Sequence, residues 1–78
     1  MRIVTEKPME YRVTKTVHGK NGDYYLHTFE DGESMFTFYC KESADKLGLV
    51  KGQEFNLVFE CTTYNGQNNF IFSGVLNE

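Results

Sequence analysis

Residues 24–40 read YYLHTFEDGESMFTFYC, and this segment gives the strongest indication of the fold. Two runs rich in aromatic residues and threonine, which suit a pleated sheet, flank the pair Asp31-Gly32. Asp-Gly favours a two-residue type I′ turn, because both central positions of that turn need positive φ. The stretch therefore predicts a β-hairpin with strands over residues 24–30 and 33–40.

The sequence before this hairpin predicts one more strand. Tyr11, Val13 and Val17 alternate with polar residues, which is the period of two of a half-buried strand. Residues 19–22, GKNG, break the alternation with a turn. Residues 1–8, MRIVTEKP, end in the only proline and predict an N-terminal leader or a short edge segment. A single domain would then span residues 9–78.

The sequence after the hairpin predicts a short helix and two strands. Residues 41–47, KESADKL, form the helix, and Gly48 suits its C-terminus because it has no Cβ. Residues 53–62 alternate as a fourth strand. The pair Asn65-Gly66 marks a turn inside the loop TTYNGQNN, and residues 70–76 form a fifth strand.

Length and composition limit the function. The chain has 78 residues, one Ala and 15% aromatic residues, so a helical bundle is disfavoured. So short a chain leaves little room for a catalytic cleft, and no catalytic or phosphate-binding motif occurs, so we expect no enzyme and no cofactor. The sequence contains no long apolar run, so we expect neither a signal peptide nor a membrane span. Cys40 and Cys61 are expected to be free, part-buried thiols, and His18 and His27 lack the companions of a metal site.

The predicted order of three strands, a short helix and two strands is that of the OB-fold, an all-β five-stranded Greek-key barrel. The segments YRVTKTVHGKNGDYY, TFEDGESMFTFY and KGQEFNLVFECTTYNG resemble the small OB-fold single-stranded DNA-binding proteins of phages and mobile elements. The resemblance covers residues 9–76. It implies sequence-nonspecific binding of single-stranded DNA during replication or recombination, in the cytoplasm of a bacterial host.

The distribution of charge fits this class better than the net charge of −3 does. Residues 11–22 contain Arg12, Lys15 and Lys20 and no acidic residue, whereas acids concentrate at the tip of the 24–40 hairpin. Residues 61–77 carry no charge. An OB barrel binds oligonucleotides over its second and third strands and the loops beside them. We therefore expect the three cations to contact phosphates.

Tyrosines are the expected stacking residues. A two-residue turn would pair Glu30 with Glu33 and Tyr24 with Tyr39, which places the two tyrosines on one face. The opposite face carries Phe29, Phe36 and Phe38 and is assigned to the core, although the reverse choice, with Tyr25, His27 and Phe38 exposed, stays open. The predicted nucleic-acid-binding residues are Arg12, Lys15, Lys20, Tyr24, Tyr25, Thr37, Tyr39 and Tyr64.

Other functions compete with this one. The chain could be a small protein-interaction module, an inhibitor or accessory subunit, that docks through its acidic hairpin tip. An RNA ligand also stays open, because only contacts to the 2′-hydroxyl separate RNA from DNA. With so few cations we expect modest affinity per monomer, so that homodimers or larger arrays would be needed for tight binding.

Overall fold

A computed structural model describes residues 1–76 of the chain. This part is mostly β, with one short helix, and its sheets curl into a half barrel. The elements are β1 (Arg2–Val4), β2 (Met9–Gly19), β3 (Gly22–Glu30), β4 (Met35–Cys40), α1 (Ala44–Leu47), β5 (Glu54–Phe55), β6 (Leu57–Tyr64) and β7 (Gln67–Val75). The all-β class expected from the sequence is confirmed. The last two residues of the predicted domain, 77–78, lie outside the described residues.

Two antiparallel sheets share the core. Their strand orders are β4-β3-β2-β5 and β1-β6-β7. Only Asn56 separates β5 from β6, so the chain passes from one sheet to the other at a single residue. Strands β4 and β7 lie side by side at the ends of their sheets, and in the described part of the chain no ladder hydrogen bonds join them.

Aromatic rings fill the space between the sheets. Phe29 is completely buried, and Phe38 stacks on Phe72 with ring centroids 5.4 Å apart. Phe59 meets the edge of Phe38 at 5.2 Å, an arrangement that aromatic pairs prefer. A domain this small relies on a few large side chains, since it buries a smaller share of its surface than a larger protein does.

A β-bulge in β2 changes the face on which its residues lie. The register shifts between Tyr11 and Val13, so Arg12 is an extra residue in the ladder with β3. As a result Tyr11 is buried, whereas Val13 is 53% exposed and Thr14 turns towards the core. The uniform alternation predicted for Tyr11, Val13 and Val17 is therefore wrong beyond Arg12.

The β3–β4 hairpin is confirmed, but its predicted register is wrong by two residues. Glu30 pairs with Met35 and not with Glu33, because residues 31–34 form the loop. The carboxylate of Asp31 accepts hydrogen bonds from the backbone N–H groups of Glu33 and Ser34, each at 2.9 Å, which stabilises this longer loop. A shift of two residues preserves the faces, so the predicted core face is the buried one. Phe36 lies near its end and is 41% exposed.

The C-terminal half shows two further differences from the predictions. The helix is a single turn, which Ser43 caps at its start and Gly48, with φ 75°, at its end. The predicted loop TTYNGQNN is mostly strand, because Asn65 and Gly66 both have positive φ and close a tight turn between Tyr64 and Gln67. At the N-terminus, residues 1–8 include β1, which is the edge strand of its sheet and pairs with β6.

The two thiols are free, with Cys40 buried and Cys61 half-buried. Among residues 1–76, no helix has the length and apolar character needed to cross a membrane.

Candidate nucleic-acid interface

The outer face of the four-stranded sheet carries four of the eight predicted binding residues, Lys15, Tyr24, Thr37 and Tyr39. Directly paired residues of neighbouring strands share a face, so the register defines its members. They are Glu10, Val13, Lys15 and Val17 on β2, Tyr24, Leu26, Thr28 and Glu30 on β3, and Met35, Thr37 and Tyr39 on β4. The hydroxyls of Thr28 and Thr37 are hydrogen-bonded at 2.9 Å. This surface is apolar in the main and open to solvent.

Tyr24 and Tyr39 form an aromatic pair at one end of this face. Their ring centroids are 5.0 Å apart and their planes are inclined at 43°. Tyr39 is 48% exposed, so part of its ring is free to contact a ligand. The pair was expected from the sequence as a direct cross-strand contact, and the actual register makes it a diagonal one, since Leu26 pairs with Tyr39.

Two lysines flank the tyrosine pair. A groove of about 400 Å³, the basic groove, is lined by Gly19, Lys20, Asn21, Gly22, Tyr24, Tyr39 and Lys41. Both Lys20 and Lys41 are exposed, and within the described residues neither ammonium group forms an ion pair. The groove therefore combines two aromatic rings with two unmatched positive charges.

Lys41 was not among the residues predicted from the sequence. It follows the pair Tyr25–Cys40, so the observed register brings it alongside Tyr24. The predicted register placed Tyr39 in that position and left Lys41 in the helix. A prediction of a four-residue loop at residues 31–34 would have given the correct register and placed Lys41 beside Tyr24.

Gly19 allows the turn between β2 and β3 to close beneath the Tyr24 ring. A Cβ atom at position 19 would lie 2.8 Å from the carbonyl oxygen of Gly22 and 3.4 Å from the ring. Only glycine fits such a close approach of the backbone. The same turn presents Lys20 to the basic groove.

Buried hydrogen bonds fix the backbone next to Lys41. His27 is fully buried, and its Nε2 lies 2.9 Å from the carbonyl oxygen of Glu42. Since a carbonyl only accepts, Nε2–H donates and Nδ1 accepts from the hydroxyl of Thr14, at 2.7 Å. Removal of His27 from water lowers its pKa, which keeps the ring neutral.

Arg12 lies far from the basic groove. Its guanidinium donates to Glu10 at 2.7 Å and to Glu30 at 3.4 Å, and these carboxylates raise its pKa. Lys20 lies eight positions after Arg12, just beyond the end of β2, which is roughly 25 Å along a strand. Its charge is therefore matched by two acids at the opposite end of the sheet.

The other predicted residues are spread over the molecule. Lys15 is exposed in the middle of β2 and pairs with Leu26, so it shares the face of the tyrosines. Tyr25 lies on the opposite, core-facing side and is parallel to His27 at 6.1 Å. Tyr64 is 72% exposed at the tip of the β6–β7 hairpin and lines neither of the two grooves described here.

A second groove follows the boundary between the two sheets. This seam groove, of about 240 Å³, is lined by Thr37, Phe38, Tyr39, Phe70, Ile71 and Phe72. Phe70 is 58% exposed, although the sequence placed it in an ordinary fifth strand. The sequence feature that could have indicated this exposure is the position of Phe70 directly after the amide-rich residues of the last hairpin.

The acidic hairpin tip is largely occupied by internal contacts. The backbone N–H groups of Ser34 and Glu33 lower the pKa of Asp31, because they stabilise its carboxylate. Glu30 accepts from Arg12, whereas Glu33 is exposed. Among residues 1–76, no group of three His, Cys, Asp or Glu side chains is arranged to hold a metal ion.

No protein-family model matches the chain, and no curated protein or solved structure shows significant similarity to it.

Proposed function

We propose that this chain is a non-enzymatic OB-fold domain that binds single-stranded DNA with little sequence preference. The basic groove carries the proposal, because it brings together two tyrosine rings and two lysines that form no ion pair within residues 1–76. The setting in phage or mobile-element replication or recombination, in a bacterial cytoplasm, follows the family resemblance.

The pattern of neighbouring strands supports the OB-fold. If β5 and β6 are counted as one bent strand, it pairs with β2 through its first part and with β7 through its second. Strands β2, β3 and β4 form a meander that ends beside β7. This sequence of neighbours suits a Greek-key barrel with one open boundary.

The chemistry of the groove suits a flexible polynucleotide. Bases stack on aromatic rings with a gain of roughly 1–3 kcal/mol per base and little preference for base type. Lys20 and Lys41 are placed to contact phosphates, and two such contacts predict a slope of about −1.4 for log K against log salt with a single strand. This small electrostatic contribution fits modest affinity per monomer, and tight binding would require a homodimer or an array.

Fluorescence anisotropy of labelled oligo-dT at two salt concentrations tests the proposal. Lys20→Ala and Lys41→Ala should each weaken binding and flatten the salt dependence. Lys51→Ala is the matched control, because Lys51 is exposed outside the basic groove and its loss changes the net charge equally. Tyr39→Ala should weaken binding at both salt concentrations, whereas Tyr39→Phe retains the ring and most of the affinity.

Three outcomes would change the proposal. If the wild-type chain fails to bind at low salt, DNA binding is wrong and a protein-interaction module that docks through the acidic tip becomes the leading alternative. If Lys20→Ala, Lys41→Ala and Tyr39→Ala all bind as the wild type does, the site lies elsewhere on the molecule. An RNA competitor of the same length that displaces the DNA would reassign the ligand to RNA.

A further inference from the structure

Phe70 has an unusual degree of exposure for its position in β7. Alternation along the strand places it on the same face as Phe72, which is 6% exposed and packs in the aromatic core. Phe70, two residues earlier, is 58% exposed, because the β6–β7 hairpin extends beyond the part of the sheet that the core covers. A large aromatic ring is thus held at the surface on a paired strand.

The seam groove that contains Phe70 continues from the basic groove. Tyr39 lines both of them. A ligand that passes over Tyr39 can therefore contact both the lysines of the basic groove and Phe70 of the seam groove.

The charges along this path allow a polyanion to follow it. Strand β4 has no charged residue, and neither has β7, so no carboxylate on these strands would repel phosphate. The acidic loop adjoins Met35, at the other end of β4. Tyr39 lies four positions further along the strand, a distance of roughly 13 Å.

We propose that the seam groove is the continuation of the nucleic-acid site, and that Phe70 is a third base-stacking residue after Tyr24 and Tyr39. This inference rests on the proposed function and extends it across the boundary between the sheets. A strand would place its phosphates at Lys20 and Lys41 and lay a later base on Phe70. Short oligonucleotides would occupy only the basic groove.

A tryptophan reporter tests this placement directly, because the chain contains no Trp. In Phe70→Trp, an oligo-dT of roughly eight nucleotides, within the site size of one OB-fold, should quench the indole fluorescence through stacking. Tyr64→Trp is the matched reporter, since Tyr64 is exposed and lines neither groove, and its fluorescence should not change. Binding by anisotropy without quenching at position 70 would overturn the inference and leave the proposed function intact.

Affinity gives a second, independent readout. Phe70→Ala should weaken binding of the longer oligo-dT about tenfold, the equivalent of one lost stacking contact, and leave binding of a dinucleotide unchanged. Phe70→Leu should lose as much, because it has no flat ring. Val50→Ala, at an exposed apolar residue that lines neither groove, should lose little. Circular dichroism would check that each variant is folded.

Two results would contradict the seam path. If Phe70→Ala binds the longer oligo-dT as the wild type does, Phe70 is not a stacking residue. If the same variant converts a dimer into a monomer in light scattering and retains its affinity, the seam joins two copies of the chain. If the wild type binds no oligonucleotide of any length, the proposed function itself fails.

Discussion

His27 accepts a hydrogen bond from Thr14 across the β2–β3 ladder, with 2.7 Å between Nδ1 and Oγ1. The bond exists because the bulge at Arg12 turns Thr14 towards the core. The hydroxyl of Thr14 is also hydrogen-bonded to that of Tyr11, so the buried Tyr11 and His27 and the half-buried Thr14 form a chain that ends at the carbonyl of Glu42. Each group is satisfied only while the other members stay in place.

The burial of His27 predicts acid sensitivity. Its pKa is lowered from the usual 6.5 by loss of solvent, so the unfolded chain binds a proton at a higher pH than the folded one. Stability should therefore be complete above about pH 6.5 and decrease as the pH falls below it. Urea unfolding between pH 7.5 and pH 5 would measure this loss. His18→Gln should retain the pH dependence because His18 is exposed, and a stability that rises over this range as the pH falls would contradict the prediction.

Thr14→Val should destabilise the fold by about 1–3 kcal/mol, because it leaves the buried Nδ1 of His27 without a donor. Thr16→Val, at an exposed position on the same strand, is the matched control and should change the stability little. Thermal or urea unfolding would compare the two. Equal effects of the two substitutions would show that the hydrogen bond of Thr14 contributes nothing specific.

Gly19→Ala should both destabilise the chain and weaken its binding of oligo-dT. The new Cβ would lie 2.8 Å from the Gly22 carbonyl oxygen, so the turn beneath Tyr24 must move. Relief of such a clash costs about 1–3 kcal/mol. Asn21→Ala, in the same turn, should leave the stability nearly unchanged. A Gly19→Ala variant with wild-type stability and affinity would mean that the turn adjusts freely.

Two phenylalanines on the same sheet face should respond very differently to truncation. Phe29→Ala should cost about 3–5 kcal/mol, because the ring is fully buried among other aromatic rings. Phe36→Ala should cost much less, because Phe36 is 41% exposed beside the hairpin loop. Comparison of the two melting temperatures measures this difference. A larger loss for Phe36 would contradict the assigned core.

The sequence identified the faces of the central hairpin correctly and its register incorrectly, for one physical reason. The pleat repeats every two residues, so the apolar pattern of residues 24–40 specifies which side is buried but is unchanged by a slip of two. The register depends on the loop, where the Asp31 carboxylate binds two backbone N–H groups. The preference of Asp-Gly for a two-residue turn takes no account of these hydrogen bonds of the Asp31 side chain, which stabilise the four-residue loop instead.

The sequence predicted the tyrosines of the candidate site but not its other members. Tyr24 and Tyr39 were predicted correctly because both lie on the outer face of the hairpin, and a slip of two residues does not change that face. Lys41 required the correct register, and Phe70 required knowledge that the last hairpin extends past the core. The asparagine and glutamine residues around Asn65 indicated a loop. The positive φ angles of Asn65 and Gly66 instead close a tight turn, so both strands continue up to it.

The corner at Asn56 has a kinetic consequence. Its amide donates to the carbonyl of Thr5 at 3.0 Å, and the hydroxyl of Thr5 accepts from the N–H of Leu57, a partner 52 residues away. The three hairpins require only short loops, but this contact closes most of the chain, so its entropic cost comes last in folding. Thr5→Ala should therefore accelerate unfolding and leave the refolding rate nearly unchanged, as stopped-flow kinetics can measure. We therefore expect the contacts of Thr5 with Asn56 and Leu57 to slow unfolding and so to prolong the lifetime of the folded state.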